Sequence, residues 1–146
     1  MALQRETSVG YMTNLAGRLL VRALERRLLP LGMTPALMPV LMYLEAGPMT
    51  QKDLAECVGV EQPTMAATIK RLERDGWIQR LPNPDDGRSS LVSLTDKARQ
   101  MRPKVEAVVD QINATALTGF SSTEREQYFA LLTRIIKALE ADTGSD

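Results

Sequence analysis

Residues 54–95 read LAECVGVEQPTMAATIKRLERDGWIQRLPNPDDGRSSLVSLT. Before Gly59, Leu54, Ala55 and Val58 take inward helical positions. After it, Met65, Ile69 and Leu72 recur at helical spacing. Ala55 is small where two helices cross closely. Gly59 suits a turn that needs a left-handed backbone, and Val58 and Val60 pin that turn to the core. A short helix, a tight turn and a second helix make a helix-turn-helix. Two short β-type runs follow, at 77–81 and 91–94. Between them, Pro82 and Pro84 limit the loop's conformations and Gly87 permits a tight tip. Thr95 then caps another helix. The succession is that of a winged helix, so the expected fold is mainly α with a small β-hairpin. A solvated helical pair with an ordinary charged hairpin is the blander reading, and the distance between the two motifs weighs against it.

The flanks are helical. Met12, Leu15, Leu19, Leu20, Leu24 and Leu28 form a first stripe, ended by Pro30 and Gly32. Thr34–Pro35 resembles an N-cap followed by proline at the first helical position. The second helix presents Leu37, Leu41 and Leu44, with Pro39 imposing a distorted first turn or a kink. Thr50 is placed to cap the third helix. Beyond Thr95, apolar residues recur from Ala98 to Ala116 around Pro103, where a bend is expected. Ser121 and Glu124 match a capping box. The sixth helix then carries Tyr128, Leu131, Leu132, Ile135, Ile136 and Leu139. Residues 143–146 are expected to fray.

Composition narrows the chemistry. The 146 residues suffice for one domain with a core. No apolar run is long enough to span a bilayer. The opening MALQRETSVGYMTNLAG lacks the basic-then-apolar order of a signal peptide. Cys57 is the single cysteine, so no internal disulfide is available. These features point to a cytoplasmic protein. Histidine is absent, which removes the commonest general base and metal ligand. No phosphate-binding glycine loop or CxxC pair is present, so no metal, cofactor or catalytic residue is expected. Eighteen basic residues balance 18 acidic ones. A nucleic-acid reading therefore rests on a local patch. Between residues 50 and 104 stand ten basic and eight acidic side chains, a local excess of two in the right direction.

The outer face of the helix after Gly59 offers Gln62, Thr64, Thr68 and Arg71 to base edges. Thr64 or Met65 could meet a thymine methyl. Arg88 at the loop tip suits a narrow minor groove. Asp86, two residues away, could hold its guanidinium as a bidentate pair. Ser89 and Ser90 can bond phosphate oxygens.

With these residues in view, the chain resembles the multiple-antibiotic-resistance regulator (MarR) family of bacterial transcription factors. The most specific part is Asp86-x-Arg88 followed by LVSLT at 91–95. The resemblance runs from the first helix to about residue 140. It implies a homodimer on pseudo-palindromic double-stranded DNA. Residues 34–102 would form the winged helix-turn-helix lobe, and 1–32 with 104–142 a helical dimerisation region. The dimer interface would use the Tyr128 to Leu139 stripe. The implied DNA-facing set is Thr50, Gln51, Gln62, Pro63, Thr64, Met65, Thr68, Lys70, Arg71, Arg74, Asp86, Arg88, Ser89 and Ser90. Two recognition helices about one DNA turn apart would read a two-fold symmetric site.

The resemblance also implies a small-molecule effector of phenolic or aromatic-acid type. Its pocket would be lined by Leu15, Arg18, Leu19, Met38, Met42 and Tyr43. A Met-rich stripe at helical spacing is otherwise ordinary core. The ligand would favour a dimer whose recognition helices are wrongly spaced, through a coupling of roughly 1–3 kcal/mol. Cys57 reads as a buried structural cysteine. The expected function is a repressor, although operator position decides the sign. A winged-helix protein-interaction module is the alternative. An enzyme is least favoured.

Overall fold

The computed structural model describes residues 3–143. Its helices are α1 (Val9–Leu28), α2 (Leu37–Leu44), α3 (Gln51–Val58), α4 (Gln62–Arg74), α5 (Asp96–Ala116) and α6 (Ser122–Thr143). Its strands are β1 (Met49–Thr50), β2 (Ile78–Pro82) and β3 (Ser90–Leu94). Short 3₁₀ turns cover Arg5–Thr7 and Leu29–Leu31. The chain divides into two compact units, residues 1–109 and 110–146.

In the first unit the strands form one antiparallel sheet in the order β1-β3-β2. Ile78 pairs with Leu94 and Pro82 with Ser90, which fixes the hairpin register. Strand β1 goes beyond the expected hairpin: Met49 pairs with Val92 and Thr50 with Leu91. Leu28, Leu37, Leu54, Met65, Ile69, Leu72, Val40 and Val92 are the largest fully buried side chains. Burying an aliphatic side chain of this size contributes about 1.5–3 kcal/mol. The core therefore joins α1's end to α2, both helices of the turn motif and the middle strand.

Local signals set the boundaries. Gly32 closes the turn after α1 with φ 69°, and Gly59 closes α3 with φ 78°. The Thr50 hydroxyl accepts the Asp53 N–H at 3.1 Å, as its capping position predicts. The expected start at Thr34 is displaced. Leu37 and Met38 donate to the carbonyls of Thr34 and Pro35, each at 3.0 Å, and α2 begins at Leu37 after that turn. Pro39 thus falls in α2's first turn, where a missing N–H leaves no bond unmade. Helix α5 runs as one element through Pro103.

In the second unit, Ser121 and Glu124 form the predicted capping box. The Ser121 N–H donates to Glu124 Oε1 at 2.9 Å, and the Glu124 N–H to Ser121 Oγ at 3.1 Å. Phe120, Tyr128 and Phe129 stack edge to face, with centroids 6.5 and 5.4 Å apart. No residue of α6 is buried. Leu131, Ile136 and Leu139 stay 54%, 49% and 59% exposed. Helix α6 continues to Thr143, so residue 143 is helical rather than frayed; 144–146 lie outside the described residues. No helix among the described residues is long and apolar enough to cross a membrane.

Candidate nucleic-acid interface

Helix α4 begins with Gln62 and Pro63 because Glu61 is extended and proline tolerates the first turn, whose donors are unpaired. Met65, Ile69 and Leu72 turn into the core, which leaves the opposite face to solvent. Pro63, Thr64, Ala67, Thr68 and Arg71 line a shallow groove of about 430 Å³ on that face. Gln62, Lys70 and Arg74 are exposed beside it. Met65 is only 2% exposed, so it cannot offer a methyl contact to thymine. The spacing of four and seven that joins it to Ile69 and Leu72 makes it a core residue.

The wing is the loop between β2 and β3, and its own side chains brace it. Asn83 accepts the Asp85 N–H at 3.0 Å and donates its amide to Ser89 Oγ at 2.9 Å. Asp86 accepts the Arg88 N–H at 2.9 Å. The Ser89 N–H donates to the Asp86 carbonyl at 3.2 Å. Asp86 therefore organises the loop backbone as an Asx turn and makes no ion pair with the Arg88 guanidinium. Gly87 is not in the left-handed region, and a Cβ there would meet nothing within 4 Å. The tip is shaped by Asn83 and Asp86, not by glycine freedom.

At the base of the wing stands Arg80, which the sequence reading left out. Its guanidinium donates to Ser90 Oγ at 3.3 Å and to Gln51 Oε1 at 3.4 Å, and it lies 3.6 Å from a Glu73 oxygen. One side chain of β2 thus touches α3, α4 and β3, and two of its partners belong to the expected DNA-facing set. Its partners stand 7 to 29 positions away, so no local pattern marks it.

The charges on this surface differ in availability. Arg74 pairs with Asp75 at 3.3 Å and Arg80 with Glu73. Among the described residues the cationic groups of Lys70, Arg71 and Arg88 enter no ion pair. They lie on α4 and the wing tip and are free to meet phosphates, even though net charge is zero. Cys57 is exposed on α3, not buried as expected.

The residues of the expected effector lining differ in exposure. Met38 is buried in the lobe, Leu15 is half-buried, and Leu19, Met42 and Tyr43 are exposed. Arg18 borders a concavity of about 520 Å³ with Asn14, Gly17, Val21 and Arg22 on α1. A cavity of about 620 Å³ lies elsewhere, among Val21, Arg26, Leu29, Met33, Pro35 and Arg71. No group of three or more Cys, Asp or Glu residues that could hold a metal ion occurs among the described residues.

Known proteins resemble this chain in sequence and fold. Residues 31–89 match the MarR family model. The HTH-type transcriptional regulator YwoH of Bacillus subtilis is 33% identical over 119 residues, 81% of this chain and 86% of that protein. A probable transcriptional regulator from Pseudomonas aeruginosa is 28% identical and superposes with a TM-score of 0.79 over 90% of this chain and 99% of its own. The reduced form of MarR from E. coli is 26% identical, with a TM-score of 0.76 over 88% and 96%.

Proposed function

Since the chain belongs to the MarR family of transcriptional regulators, we propose that it acts as a homodimeric repressor on pseudo-palindromic double-stranded DNA in the cytoplasm. The observation that carries this reading is the pairing of an outward α4 face with a braced wing. Helix α4 would enter the major groove, where Gln62, Thr64 and Thr68 read base edges and Arg71 reads a base or a phosphate. Arg88 would reach the neighbouring minor groove. Thr50, Gln51, Pro63, Lys70, Arg74, Asp86, Ser89 and Ser90 would hold the register through phosphates or by shaping the loops. Met65 acts from the core.

Dimerisation is supported by the apolar side chains that a single chain leaves in water. Tyr128, Leu131, Ile136 and Leu139 are exposed on α6, with Leu132 and Ile135 half-buried; Leu19, Leu20 and Val21 are exposed on α1. Such patches mark association surfaces. A small aromatic acid is proposed as the releasing ligand, with Arg18 as its carboxylate partner. Two-fold pairing would bring further walls to the α1 concavity.

The test is fluorescence anisotropy at fixed moderate salt, with DNA from upstream of the chain's own gene and a scrambled duplex as competitor. Tight, competitor-resistant binding by a dimer supports the reading. If genome-wide selection also yields no sequence preferred over scrambled DNA, the operator reading fails and a protein partner takes its place.

A further inference from the structure

The end of α4 and the start of α5 meet at one node that the reading above does not use. Asp75 caps α4, Gly76 turns the chain with φ 82°, and Trp77 is buried. Lys97, in the first turn of α5, donates from Nζ to the Asp75 carbonyl at 2.8 Å. The same ammonium lies 3.9 Å from the centroid of the Trp77 ring. Thr95 completes the node, its hydroxyl 2.6 Å from the Gly76 carbonyl and 3.2 Å from that of Trp77. A cation at the carbonyl end of a helix meets its negative dipole end, and a ring face below adds a second attraction.

We propose that Lys97 is a positioning residue for DNA recognition. Its ammonium, held by the Asp75 carbonyl and the Trp77 ring, locks the C-terminal end of α4 to the first turn of α5. The argument is one of connectivity. Helix α4 carries the reading face, and α5 is the chain through which residues 110–146 join the lobe. The node is a direct side-chain link between the end of the reading helix and α5. Lysine has the reach and point charge for both contacts. Gly76 serves the turn by its backbone, at φ 82°; a Cβ there would meet Lys97 Cδ and Nζ at an ordinary contact distance of 3.7 Å. Lys97 is thus engaged by α4's end rather than offered to a phosphate.

This inference rests on the DNA-binding reading, and its test separates the two. The probe is a duplex selected from random DNA by the wild-type chain, with a scrambled duplex and versions one base pair longer and shorter at the centre. Lys97→Met keeps the stem and removes the charge. It is expected to weaken binding to the selected duplex about tenfold, the loss that one charge-assisted hydrogen bond and one cation–π contact would produce. Preference over the altered spacings should shrink. Scrambled-DNA affinity and the salt slope should stay as in wild type. Lys97→Arg, which keeps a cation over the Trp77 ring in a different shape, should recover part of that loss.

Unchanged spacing preference in a folded Lys97→Met protein overturns the proposal. So does an equal loss on both duplexes with a shallower salt slope, the mark of a direct phosphate contact. If selection by wild type returns no preferred duplex, the DNA-binding reading itself falls.

Discussion

Replacing Asn83 with alanine isolates what the wing's internal bracing does. The substitution removes two hydrogen bonds, one from the Asp85 N–H and one to Ser89 Oγ. It touches neither α4 nor the Arg88 side chain. Each bond between neutral groups at an exposed site has a net value of about 0.5–1 kcal/mol. Together they bias the loop toward one conformation by about 1–2 kcal/mol. Without them the free wing samples other shapes, and binding must supply the ordering that the bonds supplied in advance. Affinity for the operator should therefore fall, by up to about fivefold to thirtyfold, and stability to urea by no more than the same 1–2 kcal/mol. The decisive assay is a double-mutant cycle by anisotropy. Arg88→Ala removes the minor-groove contact proposed for the ordered wing. Adding Asn83→Ala to that variant should then cost almost nothing. Fully additive losses would mean that Asn83 contacts DNA itself and that the bracing argument is wrong.

Three further outcomes follow from local geometry. Gly59→Ala places a side chain at φ 78° and should destabilise by about 1–2 kcal/mol, whereas Gly87→Ala should stay within about 0.5 kcal/mol; chemical denaturation of the pair checks this. The Glu124 carboxyl is held below its ordinary 4.5 by the Ser121 N–H first and the Ser121 hydroxyl second. A lowered folded value stabilises above the unfolded pKa and is lost as pH falls through the folded one, so Glu124→Gln should lose less stability than wild type between pH 6 and pH 3, an interval framed by the ordinary carboxylate value. Leu131→Asp puts a charge on the exposed α6 stripe and should weaken a two-fold dimer by about 2 kcal/mol per copy, read by sedimentation equilibrium; unchanged dimerisation would place the interface elsewhere.

The helix-turn-helix was legible because its signals are periodic and reinforce one another. Leu54, Ala55, Met65, Ile69 and Leu72 recur at helical spacing, and Gly59 needs the conformation only glycine adopts freely. The caps at Thr50, Thr95 and Ser121 were legible for the same local reason. What escaped depends on partners distant in sequence. Strand β1 has two residues, too few for any alternation, and exists only because Val92 and Leu91 pair with it. Cys57 is exposed although it stands between Glu56 and half-buried Val58, a difference a short helix hardly reveals. Asp86 and Arg88 carry opposite charges two residues apart, which suggested an ion pair, yet the backbone amide is the nearer donor. Arg80, Asn83 and Lys97 went unremarked because each works through a group 6 to 29 positions away.

The sheet order has a consequence for solubility. With β3 in the middle, the long outer margin belongs to β2, whose unpaired side could template another chain. Proline at its last position removes one donor, and Gln79 and Arg80 keep its exposed positions polar. The opposite margin, β1, is two residues long. A chain with this much exposed apolar helix surface thus keeps its strand margins short or polar, which disfavours the competing route of strand-to-strand stacking.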